Sequence, residues 1–166
     1  MATDVATAGA GVSVTRADDA ASGFAMIVEQ YLRQNLEESV VRRARARKLR
    51  GRVAMVAQDY DQAVTLAFEG EDVRILDGEA EPLDAAIRGD YQVLVDLIQG
   101  DDSPLKAHLG RRVKVRSSLR RPLLPLHVHN LMKLEMEEES FMADIRDFAI
   151  LAAVAVGLAA VLAYLV

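Results

Sequence analysis

Residues 51–76 read GRVAMVAQDYDQAVTLAFEGEDVRIL. Val53, Met55 and Ala57 alternate with polar or smaller neighbours, as do Val64, Leu66 and Phe68, then Val73 and Ile75. A period of two is the signature of half-buried strands. The links between the runs, Asp59-Tyr60-Asp61 and Glu69-Gly70-Glu71-Asp72, are short and rich in turn formers, as antiparallel hairpins require. The stretch therefore predicts three consecutive strands in a meander, with a fourth short strand through Ala85 to Arg88.

Outward from this sheet the period becomes helical. Phe24, Ile27, Val28, Tyr31, Leu32, Leu36 and Val40 recur at three- and four-residue spacing, which predicts an amphipathic helix opening after Ser22 or Gly23. Beyond Gly89, Asp90 serves as N-cap for a helix with Tyr91, Leu94, Leu97 and Ile98 on one face and Gly100 as its stop. Ser103-Pro104 opens a second short helix, cap then proline, that ends at Gly110. Arg112 to Ser118 alternates again, Val113 and Val115 toward the core and Arg112, Lys114 and Arg116 toward water. Pro122 to Leu134 carries more apolar surface than one helix face needs, so it is either a docked terminal helix or a lid over an apolar cavity. Residues 23–134 thus form an α+β domain, an antiparallel meander sheet covered by helices.

The 166 residues are 51% hydrophobic, enough for a core, with a net charge of −5 and a pI near 5.2 that give no global attraction to nucleic acid. Seven cations nevertheless crowd positions 42–52: Arg42, Arg43, Arg45, Arg47, Lys48, Arg50 and Arg52. They are either the solvated end of the first helix or a patch resting on anionic headgroups, at up to about 1 kcal/mol each. No aromatic side chain is interleaved to stack on bases, so nucleic acid is not the expected partner. Residues 1–22 are poor in large apolar side chains and lack the pattern of a secretory signal, and are expected to be a flexible tail.

From Phe148 to Val166 nineteen residues carry no charge, and as a helix they reach about 28 Å, close to the ~30 Å of a hydrocarbon core. Their ten Phe, Ile, Leu and Val residues favour insertion by on the order of 3 to 6 kcal/mol. A single-pass transmembrane helix over 148–166, joined by an acidic linker over 135–147, is the expectation. Arg146, Lys133 and the earlier arginines precede the span and no charge follows it, which leaves the domain facing the cytosol. Ala149, Ala153 and Gly157 form a small-residue stripe that would permit pairing of two such helices into a homodimer.

Catalytic chemistry has little to work with. Cysteine is absent, His127 and His129 point in different directions on a helix, and His108 stands alone, so neither a metal site nor a thiol nucleophile is expected. Ser117-Ser118 lacks the glycine frame of a nucleophile elbow, and Gly9-Ala10-Gly11 has no preceding strand to make it a phosphate loop. The reading is of a protein that is not an enzyme and uses no cofactor.

The order of elements carries a resemblance. A leading helix and a meander come first. The Gly89-Asp90-Tyr91 turn into the Leu94 to Ile98 helix follows, then Gly100, Ser103-Pro104-Leu105-Lys106-Ala107, and Gly110 before Val113-Lys114-Val115. Over Gly51 to Leu134, about half the chain, this resembles the sterol carrier protein 2 lipid-binding family, except that Ser117-Ser118 and Arg120-Arg121 stand where the family often has a further glycine. The resemblance implies an open-faced sheet covered by helices around an apolar tunnel that accepts sterols, fatty acyl chains or isoprenoid lipids without transforming them. Some bacterial members resemble accessory factors for quinone synthesis. The candidate lipid-binding residues, chosen by periodicity, are Leu66, Phe68, Ile75, Leu94, Leu97, Ile98, Val113, Leu126, Leu131 and Met132. The candidate membrane-surface residues are Arg42, Arg43, Arg45, Arg47, Lys48 and Arg50. The expected function is a membrane-anchored protein that shelters a lipid for presentation or local transfer. The alternative is a tail-anchored adaptor that uses the arginine segment or Glu135 to Glu139 to recruit a soluble protein partner.

Overall fold

The computed structural model describes residues 11–17 and 22–133. The chain divides into two units at Leu134, and the described residues fall in the first, Met1–Leu134. The acidic linker and the span expected over 148–166 lie outside the described residues, as does most of the expected tail. Among the described residues no helix is long and apolar enough to cross a membrane.

Six strands form one sheet in the order β1-β4-β3-β2-β5-β6. The central strands β2 (Arg50–Ala57), β3 (Gln62–Glu69) and β4 (Asp72–Asp77) form the expected antiparallel meander, with Val53 opposite Leu66 and Leu66 opposite Ile75. The rest of the sheet corrects the antiparallel expectation. Strand β5 (Ala85–Gly89) runs parallel to β2, and the sheet is mixed. The cause lies in residues 78–84, which leave the far end of β4 and return to the near end of β5 across the outer face. Thr65 holds that crossing: its hydroxyl donates to the Gly78 carbonyl at 2.7 Å and accepts from the Ala80 amide at 3.0 Å. Arg52 adds a guanidinium bond to the Glu81 carbonyl at 2.9 Å. Strand β6 (Val113–Ser117) closes the other edge, antiparallel to β5.

The tail expectation is also corrected where it can be seen. Ser13–Arg16 is strand β1, paired parallel to β4 from Ser13 opposite Asp72 to Arg16 opposite Ile75. Backbone pairing and burial of Val14 at 6% exposure supply what the weakly apolar composition does not. Arg16 meets Glu29 of the first helix at 2.6 Å.

The helices cover the inner face. Helix α1 (Gly23–Glu38) starts at Ser22, whose hydroxyl accepts from the Ala25 amide at 3.1 Å. The single helix expected to run through Val41 breaks at Ser39, an extended residue that caps α2 (Val40–Ala46) by accepting from the Arg42 amide. Helix α3 (Tyr91–Gln99) ends on Gly100 in the left-handed conformation, and α4 (Pro104–Leu109) starts on proline, both as expected. Helix α5 (Leu124–Met132) is the last described element. Phe24, Val28 and Leu32 of α1, Leu94 and Ile98 of α3, and Val128, Leu131 and Met132 of α5 all bury against Val53, Val64, Leu66, Phe68 and Ile75 in one core.

Candidate functional site

Each strand of the meander sends alternate side chains to the helix side, so periodicity places Leu66, Phe68, Ile75 and Val113 on one wall. The opposite wall comes from Leu94, Leu97 and Ile98 on α3 and from Leu131 and Met132 on α5. These nine residues meet in the same interior, none more than 7% exposed. Leu126 does not join them; it is half-buried on the flank of α5. The nine are packed against one another and against α1, so a guest in this interior displaces a helix.

Helix α5 has little polar fastening at its start. Its N-cap is Leu123, which offers no side-chain acceptor, and Pro125 occupies the first turn. Asn130 is 5% exposed, and its side-chain Nδ2 has no hydrogen-bond partner among the described residues. A buried unpaired donor costs about 1–3 kcal/mol, which weakens the docked position. The polar hold on α5 comes at its other end, where Asn35 of α1 donates to the Met132 carbonyl and accepts from Arg42. His129 sits in the same packed helix, and burial, helped by the Lys133 charge, pushes its pKa down to about 4. Burial and the Arg45 charge lower His127 as well. Both rings are thus held neutral near pH 7. Among the described residues no group of side chains is arranged to hold a metal ion.

The six candidate surface cations do not share a face. Because α2 restarts at Ser39, Arg42 turns inward, 6% exposed, with its guanidinium on Asn35. That corrects its expected place on the membrane surface. Arg43 folds back onto the C-terminal end of α1, donating to the Leu36 and Glu37 carbonyls at 2.6 and 2.8 Å. Arg45 is half-buried, and Lys48 and Arg50 are exposed. The Arg50 guanidinium donates to the Arg47 and Leu49 carbonyls, each at 2.8 Å.

A cavity of about 580 Å3 opens elsewhere, between β1, the end of α1 and α2. Gly11, Val12, Val14, Leu36, Val40 and Ala44 give it an apolar lining, and Arg33, Glu37, Arg43 and Arg47 its polar groups. None of the ten candidate lipid-binding residues lines it. Two of the candidate cations, Arg43 and Arg47, do. The signal for its missing wall is the alternation Val12-Ser13-Val14-Thr15, a period of two inside a stretch whose composition reads as tail.

The model of the SCP-2 sterol transfer family matches residues 28–119, more than half of the chain. A solved structure described as a UbiJ-SCP2 ubiquinone synthesis protein is 17% identical, with 66% of this chain and 95% of that one covered at a TM-score of 0.52, which establishes a shared fold. Sterol carrier protein domain 2 of Helicoverpa armigera is 18% identical (67% and 93% covered, TM-score 0.49). A crystal structure of sterol carrier protein 2 is 20% identical (67% and 96% covered, TM-score 0.48). No curated protein sequence matches this one.

Proposed function

Because the chain belongs to the SCP-2 sterol transfer family, whose domain implies lipid binding and transfer, we propose that it is a membrane-tethered lipid carrier that shelters a sterol, acyl or isoprenoid lipid and changes no covalent bond in it. The observation that carries this reading is the convergence of two apolar walls, inner sheet face and helices α1, α3 and α5, on one interior. Helix α5 acts as the lid. It is short, no side chain caps its start and the Asn130 side-chain nitrogen on its buried face is unpaired, so its docked position is weakened. Burying an aliphatic chain returns about 0.8 kcal/mol per methylene, so a chain of roughly 8–15 carbons offsets the exposure of Leu124, Val128, Leu131 and Met132 at about 1.5–3 kcal/mol each.

The tether is the uncharged stretch from Phe148 to Val166, with the domain on the cytosolic side. A linker of this length holds the domain at an effective concentration in the millimolar range beside the bilayer, so the carrier works locally. The test is transfer between vesicles. Full-length protein in donor vesicles should speed movement of fluorescent cholesterol, acyl or polyprenyl lipid to acceptor vesicles above the protein-free rate, and the lipid should be recovered unchanged. Deleting residues 148–166 should release the protein from alkaline-washed membranes. No acceleration with any of the three lipids contradicts the carrier role, and retention of the deleted form on washed membranes contradicts the tether.

A further inference from the structure

The cavity beside β1 is separate from the interior closed by α5, and its chemistry is different. Its floor is aliphatic, yet three arginines and one glutamate stand around it. The balance of charge among its polar groups is therefore positive, in a protein whose net charge is −5. Two of the arginines are already engaged: Arg33 meets Glu29 at 2.9 Å, and Arg43 caps the α1 carbonyls. The third is held only by a long ion pair: the Nε of Arg47 lies 3.8 Å from a carboxylate oxygen of Glu71, and this buried nitrogen makes no hydrogen bond. A buried guanidinium N–H without an acceptor is costly, and an anionic oxygen placed beside it removes that cost. The apolar half is equally unpartnered, because Val40 on the cavity wall is 71% exposed. A volume of about 580 Å3 lies within the range of small-molecule sites, roughly 300–1,000 Å3.

We propose that this cleft between β1, α1 and α2 is a second lipid site, which takes a single-chain amphiphile with an anionic head, its carboxylate or phosphate against Arg47 and its aliphatic part over Val12, Leu36, Val40 and Ala44. A volume of about 580 Å3 suits one aliphatic chain with its head, as in a free fatty acid or a lysophospholipid, better than a two-chain phospholipid. Fatty acid and lysophospholipid share the chemistry the site recognises, an anionic oxygen cluster on one chain. The cleft also differs from the interior in access, since it is open without movement of α5.

The experiment uses the full chain in phosphatidylcholine nanodiscs and three photoreactive probes with a diazirine in the chain: palmitate, the matching lysophosphatidate and the matching neutral alcohol. Peptides covering residues 12–14 and 36–44 should be labelled by one or both anionic probes, and which one labels identifies the head group. The alcohol should label them about tenfold less, the scale of one charge-assisted hydrogen bond. Arg47→Gln should bring the anionic probes down to the level of the alcohol. Ala44→Trp, at an exposed position on the wall, should block labelling while leaving the fold intact. Equal labelling by the alcohol, or labelling unchanged in Ala44→Trp, overturns the proposal. So does labelling that appears at the cleft only after residues 2–10 are deleted, since the chain's own N-terminal segment is then the occupant. Labelling confined to peptides bearing Leu66, Leu94 and Leu131 also overturns it and leaves the carrier reading standing.

Discussion

Asn35 on α1 donates its side-chain amide to the carbonyl of Met132 at the end of α5, 97 residues on. The same side chain accepts from Arg42, which α2 turns into the interior. One buried amide therefore ties together the first helix, the second and the proposed lid. Burial disfavours the Arg42 charge and lowers its pKa, so the Asn35 oxygen helps hold that cation in place.

Asn35→Ala removes both bonds inside a buried site. The expected cost is about 2–3 kcal/mol, the range for hydrogen bonds that involve a charge. Denaturant unfolding should show the midpoint shift. Native-state hydrogen exchange should show the amides of 128–132 losing protection before those of β2 and β3, because the lid loses its fastening while the sheet keeps its own. Uniform loss of protection would contradict a local role for the pair.

Acid should loosen the domain through α5. The folded pKa of His129 is about 4, below the ordinary 6.5, so above pH 6.5 the ring is neutral in both folded and unfolded states and contributes no slope. As pH falls from 6.5 toward 4 the unfolded chain binds a proton that the folded chain refuses, and stability drops by a few kcal/mol across that window. His127 is lowered in the same direction. Thermal melts from pH 7 to 4 should show the decline, and His129→Gln should flatten most of it. An equal slope in that variant would contradict the assignment.

Gly51 opens β2 at a φ of +129°. A Cβ there would lie 2.5 Å from Nη1 of Arg121 and 2.6 Å from Oδ2 of Asp84, the oxygen that accepts the Arg52 amide. Gly51→Ala should therefore cost about 1–3 kcal/mol through backbone strain alone. It should also displace the segment that leads into α5. Melting temperature and the exchange rate of the Arg52 amide are the readouts, and an unchanged value of both would contradict the strain.

What was legible in the sequence was what local chemistry decides. Alternation set β2, β3 and β4. Asp90 with Gly100, and Ser103 with Pro104, marked α3 and α4. The gathering of Leu66, Ile75, Leu94 and Leu131 into one interior followed from periodicity, since side chains on one face of each element have one place to go. The parallel placement of β5 was not legible, because it depends on a crossing that Thr65 holds from another strand. Strand β1 was hidden because four residues of modest hydropathy become a strand only when β4 presents an edge to them. The burial of Arg42 depends on a helix break at Ser39 that rotates α2, and the cleft is assembled from β1 and α2 together. Neither partner alone betrays it.

The most direct measurement is native mass spectrometry of the full-length protein released from nanodiscs. At least one lipid should remain bound per chain, and one should survive Ala44→Trp, which blocks the outer cleft but not the interior under α5. A bare chain, unchanged after fatty acid, sterol and polyprenyl lipid are each supplied, would contradict a lipid carrier.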